Sequence, residues 1–385
     1  MPQKTFVIIM AMIMSVTPFA ISAYLPALPY IASSLSVGPN DVATTITCYI
    51  LGISFGQIIG GPLSDNFGKK IIIVLGLSIY ALSALIISHA ETLLTIQIFR
   101  VIQAMGGGFS VVCISPLVRE RAAGNEAAKI FGLVSLIMIG APAIAPSLGA
   151  LILLVAQWQT IFYFLCGYSI FVIAFTILNL PTDKVTNKQT VTAIKRYAMV
   201  LQNKPALKYI IVQGFSQSVM VIFLTNASFI YQQYFGLTDQ VFALVFVANV
   251  VGLAIINRIN SKLLSHYLAQ TLLKWALRTQ CICVMLFVVF TYFDAPVGIQ
   301  GISIVCMIAT LGATTPNCNA TYISHFKQNT GSASALFGAN QFFISAIMGG
   351  LTTVFYNGTL WPIAFILLFS TVIANVIMPT QKSIS

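Results

Sequence analysis

The sequence predicts an all-α integral membrane fold in which twelve helices form two six-helix bundles. Three observations carry that prediction. First, 58% of the 385 residues are hydrophobic and only 7% are charged, whereas soluble domains carry about 25% charged residues. A soluble fold this apolar could not cover its surface, so its solvent must be lipid. Second, the apolar residues gather into twelve runs, most of them close to the ~20 residues that cross a bilayer core of ~30 Å. Third, the longest polar stretch, 181–206, divides those runs six and six. The domains expected are an N-terminal bundle (1–180), a cytoplasmic linker (181–206) and a C-terminal bundle (207–385).

The first run, 5–33, follows Lys4 and contains small residues at Ala20-Ile-Ser-Ala23, as a signal peptide would. Its apolar character continues through Tyr24-Leu-Pro26-Ala-Leu-Pro29, well beyond the length of a signal core, so it is read as a spanning helix. The second run, 42–62, opens at Asp41. An acid at a helix N-terminus is favoured by the helix dipole, and Asp239 stands in the same relation to the run 240–260. Both are read as helix caps in preference to transport residues.

Between the second and third runs lies Gly61-Pro-Leu-Ser-Asp65-Asn-Phe-Gly68-Lys69-Lys70. A phosphate-cradling loop needs G-x-x-x-x-G-K and then Ser or Thr. Leu63 occupies the first glycine position and Lys70 the hydroxyl position, so nucleotide binding is excluded. The third and fourth runs are 71–89 and 93–118, followed by 128–153 and 158–179; the second half holds 207–232, 240–260, 272–293, 296–318, 331–354 and 359–378. Several are interrupted by Pro or Gly, which neighbouring helices in lipid tolerate.

The net charge of +11 is a topology signal. With the N-terminus inside, eighteen of the nineteen Lys and Arg fall on the cytoplasmic side, while the outer loops carry only the acids Asp41, Glu91, Asp239 and Asp294. An even helix count places both termini in the cytoplasm. This distribution argues against a nucleic-acid partner. The seven cysteines lie in apolar runs without Cys-x-x-Cys spacing, which predicts small buried hydrophobes, not disulfides or a metal site. Three scattered histidines form no catalytic constellation, and no cofactor is expected.

Arg100 is the one cation not assigned to the cytoplasmic side; it lies about seven residues and roughly 10 Å into its run from the outer end. An intramembrane Arg is costly and faces a cavity or a partner. No acid on a neighbouring run is placed to pair with it. Two readings stand: Arg100 binds an anionic or zwitterionic substrate through its planar fork, or it is braced by helix carbonyls with Gln103 nearby.

Several stretches together resemble the major facilitator superfamily. Gly61–Lys70 resembles its loop between helices 2 and 3. Arg100-Val-Ile-Gln103-Ala-Met-Gly106 resembles the helix 4 signature of the drug-proton antiporter branch, and Val118-Arg119-Glu120 the end of that helix. Ala145-Pro146-Ser-Leu-Gly149-Ala150 is similar to the helix 5 antiporter motif, with alanines where glycines are usual. Ala20–Pro29 and Gly331-Ser-Ala-Ser-Ala-Leu336 resemble the Bcr/CflA drug-resistance subfamily, as does Gln233-Tyr-Phe-Gly236-Leu.

The resemblance implies a major facilitator fold working by alternating access, without enzymatic activity, in the bacterial inner membrane and as a monomer. It implies a gating latch at Gly61, Asp65, Gly68, Lys69, Lys70, Arg119, Pro146 and Gly149. It also implies substrate contacts drawn from Tyr24, Tyr49, Arg100, Gln103, Gln217, Asn226, Asn317, Asn340 and Gln341. Polar side chains in lipid-buried helices equally serve as interhelical glue.

The chain departs from the family at Ser22, where helix 1 normally carries an aspartate implicated in proton exchange; Ser does not titrate at physiological pH. The function expected is export of small amphipathic compounds. The alternative is transport, including uptake, of an anionic metabolite or a metal chelate such as a carboxylate siderophore, without necessary proton coupling.

Overall fold

In a computed structural model the described residues are 3–121, 130, 140–141, 144–181, 193–326 and 330–378. The chain divides into two compact units, Met1–Ala193 and Ile194–Ser385, each described by itself below. Among the described residues every regular element is helical. Ten helices are long and apolar enough to span a membrane, and Ile144–Val155 and Trp361–Ile377 are shorter apolar helices. The sequence-predicted run 128–153 lies partly outside the described residues, as does most of 181–192 in the linker. The linker is not wholly irregular, because Ala193–Leu201 within it is helical.

In the N-terminal unit α1 (Gln3–Ser22) stops short of the predicted run's end. A 3₁₀ turn (Leu25–Ala27) and α2 (Leu28–Leu35) complete the span. The break has a local cause: Pro26 has no N–H to offer the Ser22 carbonyl, and its ring opposes a continuous helix. α3 (Pro39–Phe67) starts with Pro at its first position, and the Asp41 carboxylate accepts a hydrogen bond from the Gly38 N–H at 3.1 Å. Asp41 is thus a capping residue, as its position predicts. α3 ends at Gly68, whose φ of +90° is open to glycine and strained for other residues. α4 (Lys69–Ser88) follows at once. α5 (Leu93–Val112) is capped by Thr92, which accepts from the Thr95 N–H at 3.2 Å. α6 (Ile114–Arg121), α7 (Ile144–Val155) and α8 (Gln159–Asn179) complete the unit.

Helices α3, α4 and α5 touch almost backbone to backbone. A Cβ on Gly56 would come within 2.9 Å of the Met105 Cα, one on Gly60 within 2.8 Å of the Phe109 Cα, and one on Gly106 within 2.9 Å of the Tyr80 N. In lipid, where apolar burial gives no driving force between helices, such close van der Waals approach is the main source of association.

The C-terminal unit holds α9 (Ala193–Leu201), α10 (Lys204–Ser228), α11 (Asp239–Leu263), α12 (Ala269–Tyr292), α13 (Val297–Ala309), α14 (Leu311–Ile323), α15 (Thr330–Val354) and α16 (Trp361–Ile377). α10 continues into a π-helical turn, Phe229–Tyr234. Its core gathers Tyr209, Ile210, Leu273, Leu277, Tyr322 and Phe337. Large apolar side chains such as Leu82, Leu178, Ile302 and Phe365 are exposed, as expected of faces solvated by lipid.

Candidate functional site

The N-terminal unit assembles three of the sequence-predicted residues, Tyr24, Tyr49 and Gln103, around a fourth, the buried cation Arg100. Arg100 is 1% exposed. Its position on α5 puts Gln103 one turn further along the same face, and Arg100 Nη1 donates to Gln103 Oε1 at 3.1 Å. The same nitrogen donates to the Ala20 carbonyl at 3.1 Å, in the last turn of α1 before its break. The guanidinium carbon lies 4.0 Å from the Tyr24 ring centroid and 5.1 Å from those of Tyr49 and Phe162. Tyr24 is itself fixed: its hydroxyl and that of Thr45 are 2.9 Å apart, and its ring meets Phe162 edge to face at 5.7 Å.

Each ring presents the negative face of its quadrupole to the cation, an attraction of about 2 kcal/mol where solvent is excluded. The site therefore combines a fixed positive charge with aromatic walls. No Asp or Glu is among the described buried residues, so no buried carboxylate among them offsets the charge of Arg100, whose described contacts are the rings and two oxygens. Ser22, two residues past Ala20, is buried at the same break. The break is also gripped by α7, where a Cβ on Gly149 would strike the Ala23 backbone and Pro146 is buried nearby in sequence.

The residues expected to form a latch meet in part. Gly68 makes the turn. Lys69 Nζ pairs with Glu120 at 2.6 Å across the ends of α4 and α6, and Lys70 Nζ donates to the Ile177 carbonyl of α8 at 2.9 Å. The Gly61 carbonyl accepts from Ser64 Oγ at 2.7 Å, and Asp65 is exposed. Arg119 lies in α6, its side chain being outside the described residues, as is that of Asp239.

In the C-terminal unit Gln217 and Gln341 come together at Gln213, whose Nε2 lies 3.5 Å and 3.2 Å from their Oε1 atoms and 3.1 Å from Thr315 Oγ1. This joins α10, α14 and α15 in one polar cluster. The three asparagines are engaged between helices instead. Asn226 Nδ2 donates to Thr352 Oγ1 at 2.7 Å, Asn317 Nδ2 to Asn260 Oδ1 at 2.6 Å, and Asn340 Nδ2 to the Ile210 carbonyl at 2.9 Å. Each stitches two helices together, the role such groups commonly take in lipid.

Sequence reasoning missed Phe162, Thr45 and the Ala20 carbonyl. Nothing in the spacing of 27 phenylalanines marks Phe162, and a backbone acceptor leaves no mark in a sequence.

Comparison with known proteins agrees with this architecture. The family described as Major Facilitator Superfamily matches residues 10–350. The chain is 27% identical over 364 residues to a bicyclomycin resistance protein homolog of Haemophilus influenzae, covering 94% of this chain and 92% of that protein. It is 32% identical over 165 residues to a chloramphenicol resistance protein of Pseudomonas aeruginosa, covering 40% and 39%. Its fold is similar to the crystal structure of a D-xylose–proton symporter, with a TM-score of 0.79 over 97% of this chain and 98% of that one at 12% identity.

Proposed function

The chain belongs to the Major Facilitator Superfamily, and on that premise we propose that it exports small amphipathic compounds across a bacterial inner membrane by alternating access. The observation that carries this reading is the similarity, along almost the whole of both chains, to a protein named for bicyclomycin resistance. A second relative is named for chloramphenicol resistance. The Arg100 cage suits such cargo, because a compound with an aromatic body and a polar tip finds π faces and a fixed cation within about one ring's width.

In this reading Tyr24, Tyr49, Arg100 and Gln103 are the candidate contacts within the N-terminal unit, and Gln217 and Gln341, gathered at Gln213, are those within the C-terminal unit. The pair Lys69–Glu120 acts as the latch on the cytoplasmic side, with both termini on that side and a monomer as the working form. Access to the cage requires the α1 break to move, since Arg100 is closed off by Tyr24 and the Ala20 carbonyl.

A second reading, movement of an anionic metabolite or metal chelate, is supported by the absence of any described carboxylate beside Arg100. Two measurements separate them. A strain lacking the gene becomes sensitive to amphipathic antibiotics if export is the function. It instead shows a growth defect rescued by one anionic nutrient if uptake is. Purified protein that moves neither class of solute into liposomes would sink both.

A further inference from the structure

Helix α5 carries three consecutive glycines, Gly106, Gly107 and Gly108. Packing explains two of them. A Cβ on Gly106 would strike the α4 backbone, and one on Gly108 would come within 2.8 Å of the Ile53 carbonyl oxygen on α3. Gly107 is different. A Cβ there would meet Thr17 Oγ1 at 3.5 Å, Tyr49 Oη at 3.7 Å and the Tyr80 ring at 3.8 Å, all ordinary contacts. Alanine would fit, and it suits a helix interior better than glycine. The missing methyl leaves a space of about one atom beside two hydroxyl groups.

Those hydroxyls lie near one another and near Tyr80, but neither makes a hydrogen bond of good geometry. Thr17 Oγ1 and Tyr49 Oη are buried without a well-formed bond, and so are Gln103 Nε2 and Arg100 Nε. The Gln103 amide is oriented by its Oε1, which accepts from Arg100, so its N–H groups need an acceptor elsewhere. Arg100, Gln103 and Gly107 lie three and four residues apart, on one face of α5. Tyr49 spans that face: its ring is 5.1 Å from the guanidinium carbon while its hydroxyl reaches Gly107. Four groups able to donate thus follow a stripe that begins at a buried cation. Unpaired buried donors are costly and an unpaired buried charge more so. Water would satisfy the donors and leave the charge; an anion satisfies both.

We propose that this stripe binds one small monovalent anion, held by Thr17, Tyr49 and Gln103 as the counter-ion of Arg100. A monatomic halide suits a space of about one atom; a carboxylate, with three or more heavy atoms, does not. The site lies inside the N-terminal unit and does not depend on which solute the protein moves.

Thermal unfolding of the purified full-length protein in detergent tests it, with chloride, bromide or acetate titrated against gluconate at constant ionic strength. A saturable rise in the midpoint with halide is expected. Gly107→Ala should fold at least as well in gluconate, yet weaken the half-saturating halide concentration about tenfold or more by filling the space. Tyr49→Phe should weaken it by about the tenfold that one hydrogen bond to an ion contributes. Saturation by acetate alone overturns the proposal, because a carboxylate does not fit that space. A midpoint indifferent to all three anions, or a response that Gly107→Ala leaves unchanged, overturns the proposal. Because no transport is measured, its failure is separate from any failure of the export reading.

Discussion

Arg100 is held by groups of three kinds: a backbone carbonyl of α1, a side-chain amide of its own helix and the faces of aromatic rings. Placing an Arg at the centre of a spanning helix costs about 2.5–3.5 kcal/mol on insertion scales, and a desolvated cation–π contact offsets about 2 kcal/mol. Tyr24, at 4.0 Å, is the best placed of the three rings. Tyr24→Phe keeps that ring and loses the hydroxyl's contacts with Thr45 and Arg100, so unfolding in detergent should show a loss of about 1 kcal/mol. Tyr24→Leu removes the ring face as well, and a further loss of about 2 kcal/mol is expected in the same measurement. If the two variants are equally stable, the cage is not electrostatic. Arg100→Lys separates binding from bracing. Lysine keeps the charge but not the planar fork, so proteoliposome transport of a carboxylate-bearing solute should fall roughly tenfold, equivalent to about 1.4 kcal/mol. Unchanged transport of every candidate solute by that variant would remove Arg100 from the binding role.

The helices themselves were largely legible in the sequence, because their cause is compositional: runs of about the bilayer's thickness bounded by Gly, Pro and charge. The Asp41 cap was legible because its partner, the Gly38 N–H, is three residues away. The break in α1 was only half legible. Pro26 and Pro29 are visible, but a bilayer-length run reads as one helix until the backbone shows where it stops. Which polar residues meet was not legible, since Asn317 and Asn260 are 57 residues apart and no spacing announces their pairing. Nor does the motif Gly61–Lys70 show that Lys69 reaches Glu120. That ion pair is half in solvent, with Lys69 13% and Glu120 52% exposed, and such pairs contribute about 0–1 kcal/mol. Lys69→Glu should therefore change unfolding little, while slowing transport if the pair is a latch between α4 and α6. The swap Lys69→Glu with Glu120→Lys restores the pair and should recover transport. A double variant no faster than Lys69→Glu alone would deny the pair any gating role. Gly68→Ala acts on the same turn through the backbone. At φ of +90° a side chain costs on the order of 1–3 kcal/mol, read as a lower unfolding midpoint.

At the scale of the whole chain, the acids decide what can drive transport. Proton coupling inside a bilayer calls for a titrating group buried in a helix, the usual mark of a relay. The chain has eight acids, and none appears among the described buried residues. Asp41 caps α3, Glu120 serves the Lys69 pair, and Asp65, Glu91 and Asp294 are exposed. Glu126 and Asp183 lie outside the described residues, in stretches that the charge distribution assigns to the cytoplasmic side, and Asp239 opens α11. The three histidines are no better placed: His89 meets Tyr163 at an exposed helix end, His325 leans on the Thr321 carbonyl at another, and His266 is exposed in the turn after α11. Arg100 keeps its proton at any physiological pH, and Ser22 has none to exchange in that range. Counterflow in proteoliposomes should therefore proceed at a rate that an imposed pH gradient leaves unchanged for a solute that does not itself ionise. Accumulation against its gradient that follows the proton gradient would mean that a group outside this inventory titrates, and a carboxylate among the undescribed residues, Glu126 or Asp183, would be the first to replace.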